Sequence, residues 1–207
     1  IQGAISGSTV HLAPETEYDV KLQFIEENEV ADEKLYSFST RPNTPPIDPE
    51  KIYSLNDIYT GGQLNLTALG IQGSEDGWAL IKGDGVEIIA AEGDIAAIDI
   101  GSQSYVKFEN INVKGGHLYG ISAKKAHHVW IDGCNISEFG RVAGEMRDGV
   151  AYANAESTKA INYDAGIFLQ ETGVVTIENC EIHSPNGKAN HWGDGHPYGP
   201  SALLLAA

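Results

Sequence analysis

Three segments of the chain carry the same pattern: AIDIGSQSYVKFENINV (97–113), GISAKKAHHVWIDGCNI (120–136) and GIFLQETGVVTIENCEI (166–182). They align without an internal gap, the second starting 23 residues after the first and the third 46 residues after the second. Five apolar columns run through the alignment: Ile98/Ile121/Ile167, Val106/Val129/Val175, Phe108/Ile131/Ile177, Ile111/Cys134/Cys180 and Val113/Ile136/Ile182. Such a repeat predicts stacked structural units that share one core, and it disfavours an antiparallel sandwich.

Apolar residues recur at every second position within each segment, which is the period of a β-strand. The alternation changes phase once, at Glu109-Asn110, Asp132-Gly133 and Glu178-Asn179. A strand that alternates, turns sharply and alternates again forms a coil that keeps one side inward. Stacking such coils about 4.8 Å apart buries a continuous aliphatic core.

Two further stretches extend the repeat. SALLLAA (201–207) is a partial fourth copy that places Leu203 below Ile167. GVEIIAA (85–91) fits as a degenerate earlier copy, with Val86 and Ile88 in the places of Val106 and Phe108. The third strand is followed by connections of different length, 114–119, 137–165 and 183–201, and long loops on a regular scaffold are often functional.

Over residues 50–207 the pattern resembles right-handed parallel β-helix proteins such as pectate lyases and related polysaccharide enzymes. The resemblance implies an all-β, single-stranded right-handed parallel β-helix with three strands per coil, continuing beyond Ala207. In that family the turn between the second and third strands often carries stacked asparagines. Asn110 and Asn179 match this, whereas Gly133 departs from it, and Cys134 and Cys180 become neighbouring core thiols.

Residues 1–42 show a different, two-residue alternation, clearest from Tyr18 to Phe24. The run LAPETEY (12–18) resembles the tyrosine corner of fibronectin type III domains, and YSFSTRP (36–42) resembles their last strand. The resemblance implies the C-terminal strands of a partial β-sandwich. Residues 43–49, which hold three prolines, are expected to form a stiff linker.

A net charge of −16 disfavours nucleic acid and anionic membranes as partners, because both select basic surfaces. No run of about 18 apolar residues is present, so no membrane insertion is expected. The family resemblance implies a polysaccharide partner and a secreted or cell-surface location.

The candidate site is the outward face of the first strands together with the long loops beside it. The outward positions there are Asp99, Ser122, Lys124, Phe168, Gln170 and Leu204. Four residues are candidates for catalysis: Asp164, Asp194, Glu145 and Lys124. Nine are candidates for substrate binding: Arg141, Arg147, Phe168, Gln170, Lys188, His191, Trp192, His196 and Tyr198.

Two reaction types fit these residues. A lyase needs a base and cations that neutralise a uronate carboxylate, whereas a hydrolase needs two carboxylates about 5–9.5 Å apart. The resemblance leaves Ca²⁺ open as a cofactor, although no run matches a calcium-dependent pectate lyase and no metal ligand is identified. The predicted function is a polysaccharide-degrading enzyme, hydrolase or lyase; the alternative is a non-catalytic β-helix adhesin or structural protein. His127 and His128 would point to opposite faces as neighbours in a strand, so they are not expected to chelate one metal ion together, and they are interpreted as residues of a short turn.

Overall fold

A computed structural model describes residues 10–40, 42–187 and 199–207. The chain divides into two compact units, Ile1–Pro45 and Pro46–Ala207, which are described separately. The first strand of the second unit begins at Ile47, within the segment that was expected to be the linker. The helices in the described ranges are short, and none of them has the length or the apolar character that a membrane crossing requires.

The first unit contains an antiparallel hairpin of β1 (Glu17–Glu26) and β2 (Glu29–Ser39). Its turn residues Glu27 and Asn28 both have positive φ, as expected of a two-residue hairpin loop that matches the strand twist. The hydroxyl of Tyr18 accepts a hydrogen bond from the backbone N–H of Ala13 at 2.7 Å.

Three parallel sheets build the second unit, and each complete coil contributes one strand to each sheet, while the first and last described coils are incomplete. The first sheet contains β4 (Leu64–Asn65), β7 (Ala96–Asp99), β10 (Tyr119–Lys124), β15 (Ala165–Gln170) and β18 (Ser201–Ala206). The second contains β3 (Ile47–Ser54), β5 (Trp78–Lys82), β8 (Val106–Glu109), β11 (His127–Asp132) and β16 (Gly173–Glu178). The third contains β6 (Glu87–Ile89), β9 (Asn112–Lys114), β12 (Asn135–Ser137) and β17 (Glu181–Ile182). Two one-turn helices, α1 (Leu55–Ile58) and α2 (Leu66–Leu69), belong to the first coils, and a small hairpin pairs β13 (Glu145–Arg147) with β14 (Val150–Tyr152).

The predicted fold class, a parallel β-helix, is confirmed in the register of its strands. Ile121 pairs with Ile98 on one side and with Ile167 on the other, and Leu203 follows below Ile167. The columns through Val129, Ile131 and Ile136 are likewise in register. Ile98, Ile121, Ile131, Ile136 and Ile167 have no solvent exposure, so the repeated apolar residues form one continuous core.

The placement of GVEIIAA was wrong. Ile88 pairs with Val113 in the third sheet, and the second-sheet copy is β5, where Ile81 pairs with Phe108. The turn between β5 and β6 has two more residues than the same turn after β8, including Asp84 and Gly85, both with positive φ. Residues 85–91 were therefore assigned to the second strand of a coil, although they contain its third strand.

The sharp turn between the second and third sheets is left-handed in three successive coils. Asn110, Gly133 and Asn179 have φ of 54°, 65° and 53°. A Cβ on Gly133 would lie 2.4 Å from Oδ1 of Asn110, so a larger residue there would have to displace the Asn110 amide, and glycine avoids this while it adopts the left-handed backbone. The amide of Asn179 donates to Oδ1 of Asp132 at 2.9 Å.

The expectation that His127 and His128 point to opposite faces was wrong. His128 has a φ of 54°, which breaks the strand alternation and turns both rings to the same side. Their Nδ1 atoms lie 2.8 Å apart, and the ring of His128 stacks on Tyr105 at 4.6 Å between centroids. Tyr105, at the same turn of the preceding coil, also has positive φ, so this turn repeats its backbone conformation and not its sequence.

Candidate functional site

The outward face of the first sheet presents one side chain per coil at the same height. Asn65, Asp99, Ser122, Phe168 and Leu204 follow one another in register. Asp99 accepts hydrogen bonds from the amide of Asn65 and the hydroxyl of Ser122, each at 3.3 Å. The backbone N–H of Gly101 also donates to Asp99, at 3.0 Å. The column is therefore polar in the early coils and apolar in the later ones.

An aromatic pair lies on the same face. The rings of Tyr119 and Phe168 stack at 4.3 Å between centroids with an interplanar angle of 7°. Lys124 and Gln170 are aligned neighbours farther along the strands, where Lys124 is exposed and Gln170 is half-buried. Flat apolar surface beside polar groups is the usual composition of a sugar-binding face.

The loop from Phe139 to Ala165 is held at its base by an ion pair between Arg141 and Asp164. The Nη2 and Nε atoms of Arg141 donate to the carboxylate of Asp164 at 2.6 and 3.0 Å, and its backbone N–H adds a bond at 2.8 Å. Nη2 also donates to the carbonyl of Asn162 at 2.9 Å. Asp164 is only 1 % exposed, so this carboxylate is buried and is satisfied by the two ends of its own loop.

The hairpin β13–β14 forms the outer part of this loop. Its turn, Asp148-Gly149, has two positive φ values, which suit a two-residue hairpin loop. The guanidinium of Arg147 lies 3.6 Å from the ring centroid of Tyr152 and donates to the carbonyl of Ser157. The long loop is thus a small structured unit.

A cleft of about 970 Å³ opens in this loop. Its chemically important wall residues are two cations and two tyrosines, Arg141, Lys159, Tyr152 and Tyr163, and no aspartate or glutamate is among the described residues that line it. Lys159 and Tyr163 are exposed, and Lys159 makes no hydrogen bond or ion pair with any described residue. Arg141 also borders a second cleft of about 610 Å³, which extends towards His117 and Glu138.

Electrostatics connect the cleft to the first sheet. Burial raises the pKa of Tyr119, and the negative charge of Asp164 raises it further, while Arg141 acts in the opposite direction. Tyr119 is therefore within electrostatic reach of the loop anchor and stacks on Phe168 in the sheet.

The predicted site residues fall into three groups. Arg141 and Asp164 contact each other directly, and Phe168 and Gln170 lie on the first-sheet face with Lys124. Glu145 and Arg147 lie on β13, and among the described residues neither Glu145 nor Lys124 bonds to Asp164. Six predicted residues lie outside the described residues: Lys188, His191, Trp192, Asp194, His196 and Tyr198.

Sequence reasoning missed several residues of the site, namely Tyr119, Lys159 and Tyr163. Tyr119 is the first residue of β10 and Tyr163 lies two residues before β15, and both are outside the aligned segments, so the repeat gave no signal for them. Lys159 follows the β13–β14 hairpin, which the Asp-Gly pair at 148–149 could have revealed.

The described residues do not fit a metal centre. In residues 10–40, 42–187 and 199–207 no group of three or more His, Cys, Asp or Glu side chains is placed to hold a metal ion. A calcium ion would need about six or more oxygen ligands. The described residues therefore do not provide a calcium site.

Comparison with known proteins agrees with this architecture. Residues 70–194, more than half of the chain, match the family model described as a right-handed β-helix region. Neither the curated proteins nor the solved structures give a match to this sequence. The matched region includes the three aligned segments and most of the loop cleft, and the chain belongs to the right-handed β-helix family.

Proposed function

We propose that this chain is part of a secreted polysaccharide-degrading enzyme, and that the loop cleft binds an acidic sugar chain. The observation that carries the proposal is the lining of the cleft, where Lys159, two tyrosines and the ion-paired Arg141 lie together and no carboxylate is among the described lining residues. On a chain with a net charge of −16, an anionic polymer is repelled from most of the surface. A cleft lined by cations is where such a polymer would bind.

Each wall residue has a chemical role in this proposal. The ammonium of Lys159 pairs with a uronate carboxylate, and the rings of Tyr152 and Tyr163 pack against the faces of the sugars. The Nη1 atom of Arg141 makes no hydrogen bond with a described residue, so it remains available to the substrate while Asp164 holds the rest of the guanidinium. The bound sugar chain would continue along the first sheet over the rings of Tyr119 and Phe168.

Elimination is the reaction that this setting favours. A base removes the proton next to the carboxylate, the bond to the neighbouring sugar oxygen breaks, a C=C bond forms, and the leaving oxygen takes up a proton. Cations that neutralise the carboxylate lower the cost of the developing negative charge. Lys124, the proposed base, is exposed at the end of β10, about 16 Å along the strand from Tyr119, so it would act on a uronate bound farther along the first sheet and not on the one paired with Lys159. Hydrolysis would need a free pair of carboxylates, and Arg141 engages both oxygens of Asp164.

The N-terminal hairpin supports an extracellular setting. We propose that residues 1–42 are the C-terminal strands of a fibronectin type III-like domain. The hydrogen bond from the Ala13 amide to the Tyr18 hydroxyl is the contact that a tyrosine corner requires. In the proposed enzyme this domain is a spacer that precedes the β-helix in the sequence.

A panel of polysaccharides tests the proposal. Purified protein is incubated with polyuronates, sulfated galactans and neutral glucans, while ultraviolet absorbance of unsaturated product and release of reducing ends are followed together. Both signals are expected to rise with polyuronates alone. Lys159→Ala is expected to lower the rate about tenfold or more, whereas Thr158→Ala, a neutral change in the same wall, is the matched control.

The other outcomes separate the alternatives. Reducing ends without absorbance would replace the lyase with a hydrolase. Binding without either product would favour the non-catalytic adhesin. An equal response to neutral glucans would contradict the assignment of an acidic substrate.

A further inference from the structure

Two cysteines occupy the same position in successive coils. Asp132 pairs with Glu178 before them and Asn135 pairs with Glu181 after them, so Cys134 and Cys180 lie directly above one another. The backbone N–H of Glu181 donates to the carbonyl of Cys134 at 2.8 Å, which holds the two coils together at this point. In-register parallel strands are about 4.8 Å apart, within the roughly 4.4–6.8 Å between the Cα atoms of a disulfide.

The two sulfur atoms also approach the same part of one coil. The Sγ of Cys180 lies 3.6 Å from the carbonyl oxygen of Ile131, which belongs to the coil of Cys134. The Sγ of Cys134 lies 3.6 Å from the carbonyl oxygen of Asp132, which follows Ile131 in the sequence. Both cysteines are free thiols in the structure, and Cys134 is buried.

We propose that Cys134 and Cys180 form a disulfide between neighbouring coils when the chain folds in the presence of a low-molecular-weight disulfide. The bond would join the two coils that bracket the loop from Phe139 to Ala165. It would restrict the unfolded chain over the segment that carries the cleft, and so stabilise the fold around it. The inference does not depend on what the cleft binds.

The chemistry is thiol–disulfide exchange. One cysteine thiolate attacks the small disulfide, forms a mixed disulfide and releases one small thiolate. The second cysteine loses its proton and attacks the protein sulfur of the mixed disulfide, which releases the second small thiolate. The two cysteines are oxidised, one small disulfide is reduced to two thiols, and the two cysteine protons pass to these thiols.

Burial raises the pKa of the Cys134 thiol to about 12, with Cys180 adding to the effect. Ring closure in the folded protein is therefore slow at neutral pH, because the thiolate of Cys134 is scarce. Closure is faster while the chain folds, before Cys134 is buried.

The test is to refold the 207-residue chain with a glutathione redox couple and, in parallel, with excess reductant. The oxidised sample is expected to lose two hydrogen atoms in intact mass, to give a peptide linking residues 134 and 180, and to resist alkylation after denaturation. Its melting temperature is expected to exceed that of the reduced sample by roughly 5–10 °C. Cys180→Ala leaves Cys134 alone and is expected to melt at one temperature in both buffers.

Three outcomes would overturn the proposal: two alkylatable thiols after oxidative refolding, glutathione adducts in place of the link, or disulfide-linked dimers. If Cys180→Ala does not fold, oxidation of the folded wild-type chain at raised pH decides the question by the same mass measurement. There the linked peptide is expected to form faster as the pH rises, and its absence at every pH would exclude the pair.

Discussion

Removal of the Arg141 side chain is expected to destabilise the β-helix unit strongly. Arg141→Ala deletes the guanidinium contacts to Asp164 and leaves that carboxylate, which is 1 % exposed, with the backbone N–H of residue 141 as its remaining donor. Breaking a buried ion pair from one side costs about 3–5 kcal/mol, because the remaining charge stays buried without its partner. The free energy of unfolding, measured by urea denaturation, is expected to fall by that amount.

Arg147→Ala is the matched control for this experiment. Arg147 belongs to the same loop, but it is exposed and contacts the ring of Tyr152 and a backbone carbonyl. Its removal is expected to cost less than about 1 kcal/mol. Comparison of the two variants separates burial of charge from the general loss of an arginine.

The double variant Arg141→Ala/Asp164→Asn tests the physical reason. Replacing the carboxylate by an amide removes the stranded charge, so the double variant is expected to recover about 2 kcal/mol relative to Arg141→Ala. The reasoning is refuted if Arg141→Ala unfolds within about 1 kcal/mol of wild type, or if the double variant is no more stable than the single one.

Three further predictions concern the scaffold. Ile121→Ala, in the middle of the buried column, is expected to cost about 2–5 kcal/mol in urea unfolding, while Ser122→Ala on the outer face costs less than about 1 kcal/mol; equal losses would contradict the inward and outward assignment. Gly133→Ala is expected to lower stability by about 1–2 kcal/mol, because alanine would have to adopt a left-handed backbone and displace the Asn110 amide, and a neutral result would contradict this. The hydrogen bond from Asn179 lowers the pKa of Asp132 in the folded protein. The stabilisation from this bond is therefore fully present above about pH 4, the pKa of an aspartate in the unfolded chain. It is lost as the pH falls through the lower pKa of Asp132 in the folded state. Asn179→Gly, which keeps the left-handed backbone, should therefore be less stable than wild type at neutral pH, and the gap in urea midpoint should close in acid; a constant gap would show that the carboxylate is not involved.

The repeat was sufficient to predict the architecture, because in-register stacking leaves a direct mark on the sequence. Ile98, Ile121 and Ile167 align in the sequence for the same reason that they pair in the first sheet. Residues 85–91 were misplaced because alternating apolar residues occur in both the second and the third strand of a coil, so a short stretch fits either. The longer turn at Asp84-Gly85 also interrupts the constant spacing between these two strands. The early coils were therefore misplaced while the later ones were correct.

The site was less predictable from the sequence than the scaffold. Phe168 and Lys124 could be assigned to the outer face from the alternation of inward and outward side chains along a strand. The pairing of Arg141 with Asp164 spans 23 residues of irregular loop, and no periodic pattern encodes it. The positive φ of His128 likewise reverses the side chain that strand alternation predicts, because local backbone conformation at a turn overrides parity.

Hydrogen–deuterium exchange with and without an acidic oligouronate tests most directly whether the loop cleft is the binding site. Slower exchange is expected in residues 141–163 and in the adjoining strands of the first sheet, with the effect weakened in Lys159→Ala. Unchanged exchange in this loop at saturating ligand, or protection confined to the second sheet, where the ammonium of Lys107 lies 5.4 Å from the ring centroid of Trp130, would contradict the account.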